Sequence, residues 1–518
     1  MNLKVWGMLW NYLGKMYSCA VLIFLLYNST MTTQELSNGL IYGDKWNKNI
    51  ITYSFKDTRL SYELASDYEG SVAVSSALKT AAIKIFDYIS SFLDLTFVYA
   101  PNSVGDIVIS EKTMPDATTL GYAYMPYTDR ISSSGDIYIS TAFSDADFAY
   151  GGLGYAALIH EIGHSLGLQH PFGNGTYSGV DVHDTVMSYN AYSGYDPFNY
   201  GYYYNTSTFT SYQSADIKAL QEIYGAKIAM SNDVYDLNTL LYANKLYGYG
   251  GLIEDNIHTI YDYGGADTVS LQNIDSYNPQ YVDMNPGAQS IIVNNQVHHY
   301  LTLTDNTDIE NLIGSIADDT IVANKCNNTI DALGGYDRVY ENNLSHTTRV
   351  DVFQNKIVVA GVDSGFDILK NAEALYVDNT AVNLSTYQRE VIPNTDATKM
   401  EIGRLYLAVL DRVPDMDGLN YWFSNMQNGM SINDMANSFV MSDEFKNTYG
   451  NFQSNEAFVQ TLYNNVLYRD ADTQGLSYWV NELQSGQSEA DVAVGFSNSE
   501  EFIKLTGVYF QDDSIVVM

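Results

Sequence analysis

The run His160-Glu161-Ile162-Gly163-His164-Ser165-Leu166-Gly167-Leu168-Gln169-His170 constrains this chain more than any other stretch. On a helix, His160 and His164 lie four residues apart on one face, so both imidazoles can converge on a single cation. Gly167 can take the φ > 0 conformation that ends a helix, which lets the chain turn back and bring in His170 as a third ligand. Three neutral imidazoles leave a coordination position open, as a catalytic zinc site requires and a closed structural site does not. Leu158, Ile162 and Leu166 recur at helical spacing and can bury a separate stripe. Glu161 adjoins the histidine face, placed to take a proton from a water at the metal rather than to bind the metal itself.

An isolated His-Glu-x-x-His is a weak signal, because an exposed helix can carry two histidines without consequence. Here Val186-Met187-Ser188-Tyr189 follows, with Met187 seventeen residues after His170. It resembles the Met-turn that follows the long zinc motif of metzincin proteases. A phenol such as Tyr189 near the metal could donate a hydrogen bond to the oxyanion that develops in peptide hydrolysis. His183 reads as a loop residue rather than a ligand.

The length of 518 residues suggests several domains. With 25 Lys+Arg against 61 Asp+Glu the net charge is −36, which argues against nucleic acid and anionic lipid as partners and is compatible with bound cations. Cys19 and Cys326 are the only cysteines, too few for a disulfide framework or a thiolate metal site. Near the N-terminus, Lys4 and Lys15 precede an apolar run from Cys19 to Tyr27, too short to span a bilayer comfortably and similar to the apolar stretch of a signal peptide. No small-x-small cleavage site follows. Residues 1–30 are therefore either a signal-like segment or an extension ahead of an internal start at Met31, and no stable membrane insertion is expected.

Strands are expected at Ile50–Phe55, Leu95–Tyr99, Asp106–Ser110 and Asp136–Ser140, and helices at Val72–Phe92 and Ser214–Tyr224. Strands ahead of the histidine helix suit a lobe whose edge strand holds an extended peptide. Four segments, Asn38–Trp46, His160–Pro171, Thr185–Tyr189 and Ser214–Ala226, resemble the serralysin family of secreted bacterial metalloproteases over roughly residues 36 to 380. That resemblance implies zinc held by His160, His164 and His170, Glu161 as general base, Tyr189 reaching the metal or the oxyanion, and Met187 as the structural Met-turn residue. The segment between His170 and Met187 is short for the family, which puts cleavage preference in doubt rather than chemistry.

After Ala226 the composition turns to short polar and β-branched runs. Asp319, Asn328 and Asp337 stand nine apart, with Ile321, Ile330 and Val339 two residues after each. This is the spacing of the nonapeptide β-helix repeat whose turns bind calcium, and Gly264-Gly265-Ala266-Asp267 is another such turn. The expected calcium residues are Asp267, Asp319, Asp337, Gly265 and Gly335. Ser315, Ala317, Cys326 and Leu333 replace repeat glycines and Asn328 replaces a carboxylate, so fewer or weaker sites are expected.

Beyond Pro393 a helical unit occurs twice. Leu405-Tyr406, Arg412, Gly418-Leu419, Tyr421-Trp422, Phe439 and Glu444-Phe445 return at Leu462-Tyr463, Arg469, Gly475-Leu476, Tyr478-Trp479, Phe496 and Glu501-Phe502, every offset being 57 residues. The pair resembles a domain of unassigned function appended to secreted repeat proteins. Asp415 and Asp472 read as helix caps rather than calcium loops. The end, Asp512-Asp513-Ser514-Ile515-Val516-Val517-Met518, resembles the uncleaved C-terminal address of type I secreted proteases.

The expected fold is multidomain. An α+β metzincin-type domain spans 31–228, a degenerate parallel β-roll 229–392, a two-copy helical repeat domain 393–511 and a secretion tail 512–518. The expected function is a secreted zinc metalloendopeptidase acting on protein substrates, with calcium in the roll and a type I secretion apparatus as partner. The rival reading is a non-enzymatic calcium-binding surface or adhesion protein with a protease-like fold.

Overall fold

The computed structural model describes residues 31–56, 58–127, 133–190, 195–196, 201–202, 208–241, 247–248, 251–252, 255–274, 277–294, 297–341, 349–361, 364–450, 452–511 and 513–518. The N-terminal segment 1–30, Cys19 included, and Asp512 lie outside the described residues. The chain forms two compact units. One runs up to Gly265 and adds residues 273–282 and 286–308; the other comprises 266–272, 283–285 and 309–518. No helix among the described residues is long and apolar enough to cross a membrane.

The first unit opens with α1 (Thr33–Leu40), whose start is fixed by a capping box between Thr32 and Glu35. A mixed sheet follows, built from β1 (Ile50–Phe55), β2 (Thr96–Tyr99), β3 (Ile107–Lys112), β4 (Gly121–Ala123) and β5 (Ile137–Ser140) in the order β2-β1-β3-β5-β4. Along this path all neighbours are parallel except the edge strand β4, which runs antiparallel to β5; the short strand Ser71–Val72 adds a second antiparallel pairing, on β3. The helix expected from Val72 starts instead at Ser76, as α2 (Ser76–Phe92). The reason is local: the Ser75 side chain accepts from Leu78 N, while Ser71 and Val72 pair with β3. Leu78, Ala81, Ile85, Phe86, Ile89 and Phe92 bury the inner face of α2.

The motif lies on α3 (Leu153–Ser165), and α4 (Ser214–Tyr224) matches its expected bounds. Two ring donors satisfy carbonyls at the end of α3: Trp46 Nε1 bonds to Ser165 O and the Tyr224 hydroxyl to Leu166 O, both at 2.9 Å. Farther along, β6 (Asp255–Ile260), β7 (Gln289–Asn294) and β8 (Val297–Leu303) pair in the order β6-β8-β7.

In the second unit the nine-residue spacing becomes two sheets of short parallel strands. Thr268–Ser270, β9 (Asn311–Ile313) and β11 (Thr329–Asp331) are neighbours in one, β10 (Thr320–Val322) and β12 (Arg338–Glu341) in the other. Leu312 pairs with Ile330, and Ile321 with Val339, so strands eighteen residues apart are neighbours and successive repeats alternate between sheets. Ile321, Ile330 and Val339 are fully buried. A hairpin of β13 (Arg349–Phe353) and β14 (Lys356–Gly361) interrupts the repeat before β15 (Gly365–Lys370) joins β11 and β16 (Ala374–Val377) joins β12.

The 57-residue repeat appears as two sets of four helices, from α5 (Ala397–Leu410) to Asp443–Tyr449 and from Asn455–Val466 to Glu500–Leu505. Arg412 pairs with Glu444 and Arg469 with Glu501, and each guanidinium lies about 5 Å from an equivalent tyrosine ring, Tyr406 or Tyr463. Asp415 and Asp472 cap helices, as expected. The helices share a core with the hairpin: Phe353, Val358, Ala360 and Phe366 pack with Leu405, Phe439, Leu462 and Phe496. Beside this core, buried Arg349 donates to Asp411 at 2.6 Å, and Asp351 accepts from Arg389 and from Tyr509.

The terminal apolar run is neither frayed nor free in the folded chain. Ser514–Val517 pairs antiparallel with Glu390–Pro393, and Ile515, Val516 and Val517 are buried. Apolar side chains that have a sheet edge to cover do not stay in water.

Candidate metal centre

Local bonding sets the histidine rings before any ion is considered. His160 Nδ1 lies 2.8 Å from Val186 O, and His164 Nδ1 lies 2.8 Å from Leu168 O. A carbonyl only accepts, so each Nδ1 carries the proton and each Nε2 presents its lone pair. Gly167 has φ +98°, the turn expected of it, and Leu168 N closes back on Gly163 O at 2.9 Å. The chain then delivers His170, whose Nε2 stands 3.2 Å from His164 Nε2. One ring nitrogen from each of the three histidines lies within 4.8 Å of the others.

His160, His164 and Glu161 are buried, and His170 is half-buried. Burial, reinforced by the neighbouring histidines, pushes His160 down to about 3. Burial likewise pushes His164 down to about 4, so these rings stay neutral and able to ligate well below the usual histidine range. Glu161 is 7% exposed, its Oε2 has no hydrogen-bond partner, and burial pushes its carboxyl up to about 8. Three imidazole lone pairs beside an unbonded carboxylate oxygen fit a zinc-type cation with an open position.

Tyr189 completes the cluster. Its ring centroid lies 4.4 Å from that of His170 and 5.6 Å from that of His160, and 61% of the residue is exposed. Burial of the phenol and the nearby Glu161 charge both raise its pKa. The position depends on Gly175, which the sequence reading missed. Tyr189 N donates to Gly175 O at 2.6 Å, and a Cβ on Gly175 would stand 2.3 Å from the tyrosine ring. Met187 is fully buried against α3, its sulfur only 2.8 Å from where a Cβ on Gly163 would be.

Asp216 was missed as well. It is fully buried on α4, accepting from Val186 N and Gln213 N at 2.9 Å each and from the Thr185 hydroxyl. Through Val186 it fixes the carbonyl that orients His160. Its sequence signal is its place at the third position of a helix, where capping carboxylates occur. His183 stands apart from the ligand set. It is half-buried, with Nδ1 3.3 Å from Gln289 Nε2 and its ring against Tyr300.

Of the expected calcium residues, Gly265 and Gly335 have φ of +155° and +130°, and Asp267, Asp319 and Asp337 are all buried. Oxygens of Asp319 and Asp337 are partly spent on the protein, while Asp267 is engaged through its N–H. Ser315 donates to Asp319 from both its N–H and its hydroxyl, Asp319 N donates to Asp337, and Asp267 N donates to Glu310. Asp337 Oδ2 has no hydrogen-bond partner, and burial pushes its carboxyl up to about 7.

Comparison with known proteins gives a consistent picture at modest identity. The chain is 29% identical over 242 residues to a serralysin of Proteus mirabilis, covering 43% of this chain and 47% of the relative. It is 27% identical over 219 residues to serralysin C of Dickeya chrysanthemi, covering 40% and 44%. Against the metalloprotease AprA of Pseudomonas entomophila it is 26% identical over 224 residues, covering 40% and 45%. The chain thus spans about half the length of the curated relatives it matches. Residues 395–435 and 436–506 match the model of a domain of unknown function, DUF4214. Mixed sheets rich in parallel strands, followed by a helical C-terminal region, make a multidomain α+β layout.

Proposed function

We propose that this chain is a secreted zinc metalloendopeptidase of serralysin type, in which His160, His164 and His170 hold the metal. The observation that carries the reading is the convergence of three Nε2 lone pairs, two of them fixed by carbonyls at Nδ1, beside the unbonded Oε2 of Glu161. Zinc bound there supplies Lewis acidity, acidifying a water and polarising the scissile carbonyl. Glu161 accepts the proton and passes it to the leaving amine. Tyr189 donates its phenolic hydrogen to the developing oxyanion. The edge strand β4 pairs with the extended substrate backbone and brings it across the site.

The reading extends to the rest of the chain. Residues 31–228 form the metzincin-type protease domain, 229–392 a worn calcium-binding β-roll and 393–511 the two-copy helical domain. Residues 512–518 act as an address for a type I exporter while the chain is unfolded. Substrates are extracellular proteins. Casein digestion with and without chelator tests the activity. Glu161→Ala tests the mechanism, since it should abolish digestion while the zinc content stays at one per chain. Digestion by that variant refutes the assignment.

A further inference from the structure

Successive residues of a strand face opposite sides of the sheet, so positions 121 and 123 of β4 face one side and Tyr122 the other. On the side of Tyr122 the strand is anchored. The Tyr122 ring stacks on Tyr138 with centroids 4.7 Å apart, and its hydroxyl donates to Asp67 Oδ1 at 3.2 Å. Tyr124, just beyond the strand, donates to Asp67 Oδ2 at 3.1 Å. Asp67 is buried, so both hydroxyls are tied to a carboxylate withdrawn from water. These bonds hold in place a strand of three residues that has β5 as its sheet neighbour and no other among the described residues.

On the other side Gly121 meets the motif helix. A Cβ on Gly121 would stand 3.0 Å from both Cγ and Oε1 of Glu161, and 3.2 Å from Ile139 Cδ1. Non-bonded carbon atoms rest at about 3.5–4.0 Å, so a side chain at position 121 displaces the Glu161 carboxylate by about 0.5 Å or more. Gly121 is not among the glycines with positive φ. Its backbone therefore does not require glycine, and the space taken by Glu161 does. Oε2 of Glu161 has no hydrogen-bond partner, which leaves packing against β4 to locate the carboxylate.

We propose that Gly121 is a positioning residue for the reaction: the missing side chain at this point of β4 seats the Glu161 carboxylate directly against the strand that pairs with the substrate. The inference rests on the reading of Glu161 as general base and of β4 as the substrate strand. Peptide binding and proton transfer then share one reference surface, the strand held through Asp67, and the base keeps a fixed distance from the bond to be cut. A misplacement of about 1 Å between reacting groups costs about 100-fold in rate. A single methyl group at position 121 moves the base but leaves the N–H and C=O groups along the outer edge of β4 in place, so it separates chemistry from binding.

The test uses the full chain loaded with zinc, with steady-state kinetics on a fluorogenic peptide for the wild type, Gly121→Ala, Ile139→Val and the double variant. Gly121→Ala should keep its zinc and lower kcat roughly 10- to 100-fold, with KM within about twofold of the wild type. The double variant separates two causes and serves alone if Gly121→Ala does not fold. Ile139→Val removes the Cδ1 methyl that also crowds position 121, which relieves packing in the sheet but not the contact with Glu161. Its kcat should stay low. A double variant with wild-type kcat, or an unchanged kcat in Gly121→Ala, overturns the proposal. A wild type that digests nothing refutes the protease reading instead, and the place of Glu161 is then read without turnover. With cobalt(II) in the histidine site, the visible spectrum reports the surroundings of the metal's open position. Gly121→Ala should shift that spectrum, and one identical to the wild type overturns the positioning role.

Discussion

Asp216 provides the most direct test of how the metal centre is built, because the group that orients His160 is a backbone carbonyl and no substitution can delete it. Replacing Asp216 with alanine strands the N–H groups of Val186 and Gln213 and the Thr185 hydroxyl. At about 1–3 kcal/mol for each unsatisfied buried group, offset in part by water entering the gap, the loss of stability should be about 3–5 kcal/mol. Once Val186 drifts, the His160 ring loses its fixed orientation. Disturbing the partner of a ligating histidine typically lowers metal affinity about 10- to 100-fold, or roughly 1.4–2.7 kcal/mol. Asp216→Asn should cost only about 1 kcal/mol, since its amide oxygen can keep both backbone donors. Competition against a graded set of chelators reads zinc affinity, and circular dichroism confirms folding. If Asp216→Ala folds and holds zinc as tightly as the wild type, the chain of support from Asp216 through Val186 to His160 is wrong. The asparagine variant carries a second signature. Burial pushes Asp216 up to about 7, so the folded state retains a proton that the unfolded state releases near 3.8. Native stability therefore falls as pH rises through that window, and Asp216→Asn should gain on the wild type between about pH 4 and pH 7.

Three further outcomes are expected. Tyr189→Phe should lower kcat more than it raises KM, and Gly175→Ala should do the same by displacing the ring it cradles; a pure KM effect in steady-state kinetics would return Tyr189 to packing. Burial pushes His258 down to about 4, where it lies 2.8 Å from the Thr210 hydroxyl, so its neutral form favours the native state above pH 6.5 and that advantage is lost on acidification towards 4. His258→Gln should therefore flatten the decline of Tm between pH 6.5 and 4.5, and an unchanged slope counts against the assignment. Arg349→Ala should lower the melting temperature of the strands and the helices together, by about 3 kcal/mol of stability, because it takes from half-buried Asp411 its ion-pair partner and leaves buried Asp351 only Arg389. Separate melting of hairpin and helices by hydrogen exchange would show that they are not one cooperative block.

Much of this protein was legible from local spacing. Intervals of four and six residues, with a glycine between, predicted that His160, His164 and His170 would meet, and the nine-residue and 57-residue periods predicted stacked parallel strands and a doubled set of helices. These patterns survive folding because they record geometry internal to one helix, one turn or one repeat. Asp216 and Gly175 carry no such period. Their roles arise where separate segments come together: Asp216 is thirty residues from Val186, and Gly175 is fourteen from Tyr189. The terminal run Ile515-Val516-Val517 names no partner strand in its own sequence, and its partner at Glu390–Pro393 lies over a hundred residues away. The sequence by itself determined which residues could reach one another within an element. Only the tertiary structure decided which carbonyl orients His160, which carboxylates lose their solvent and which apolar edge is covered. Burial and long-range hydrogen bonding are properties of the packed chain, and no residue has them until its distant neighbours arrive.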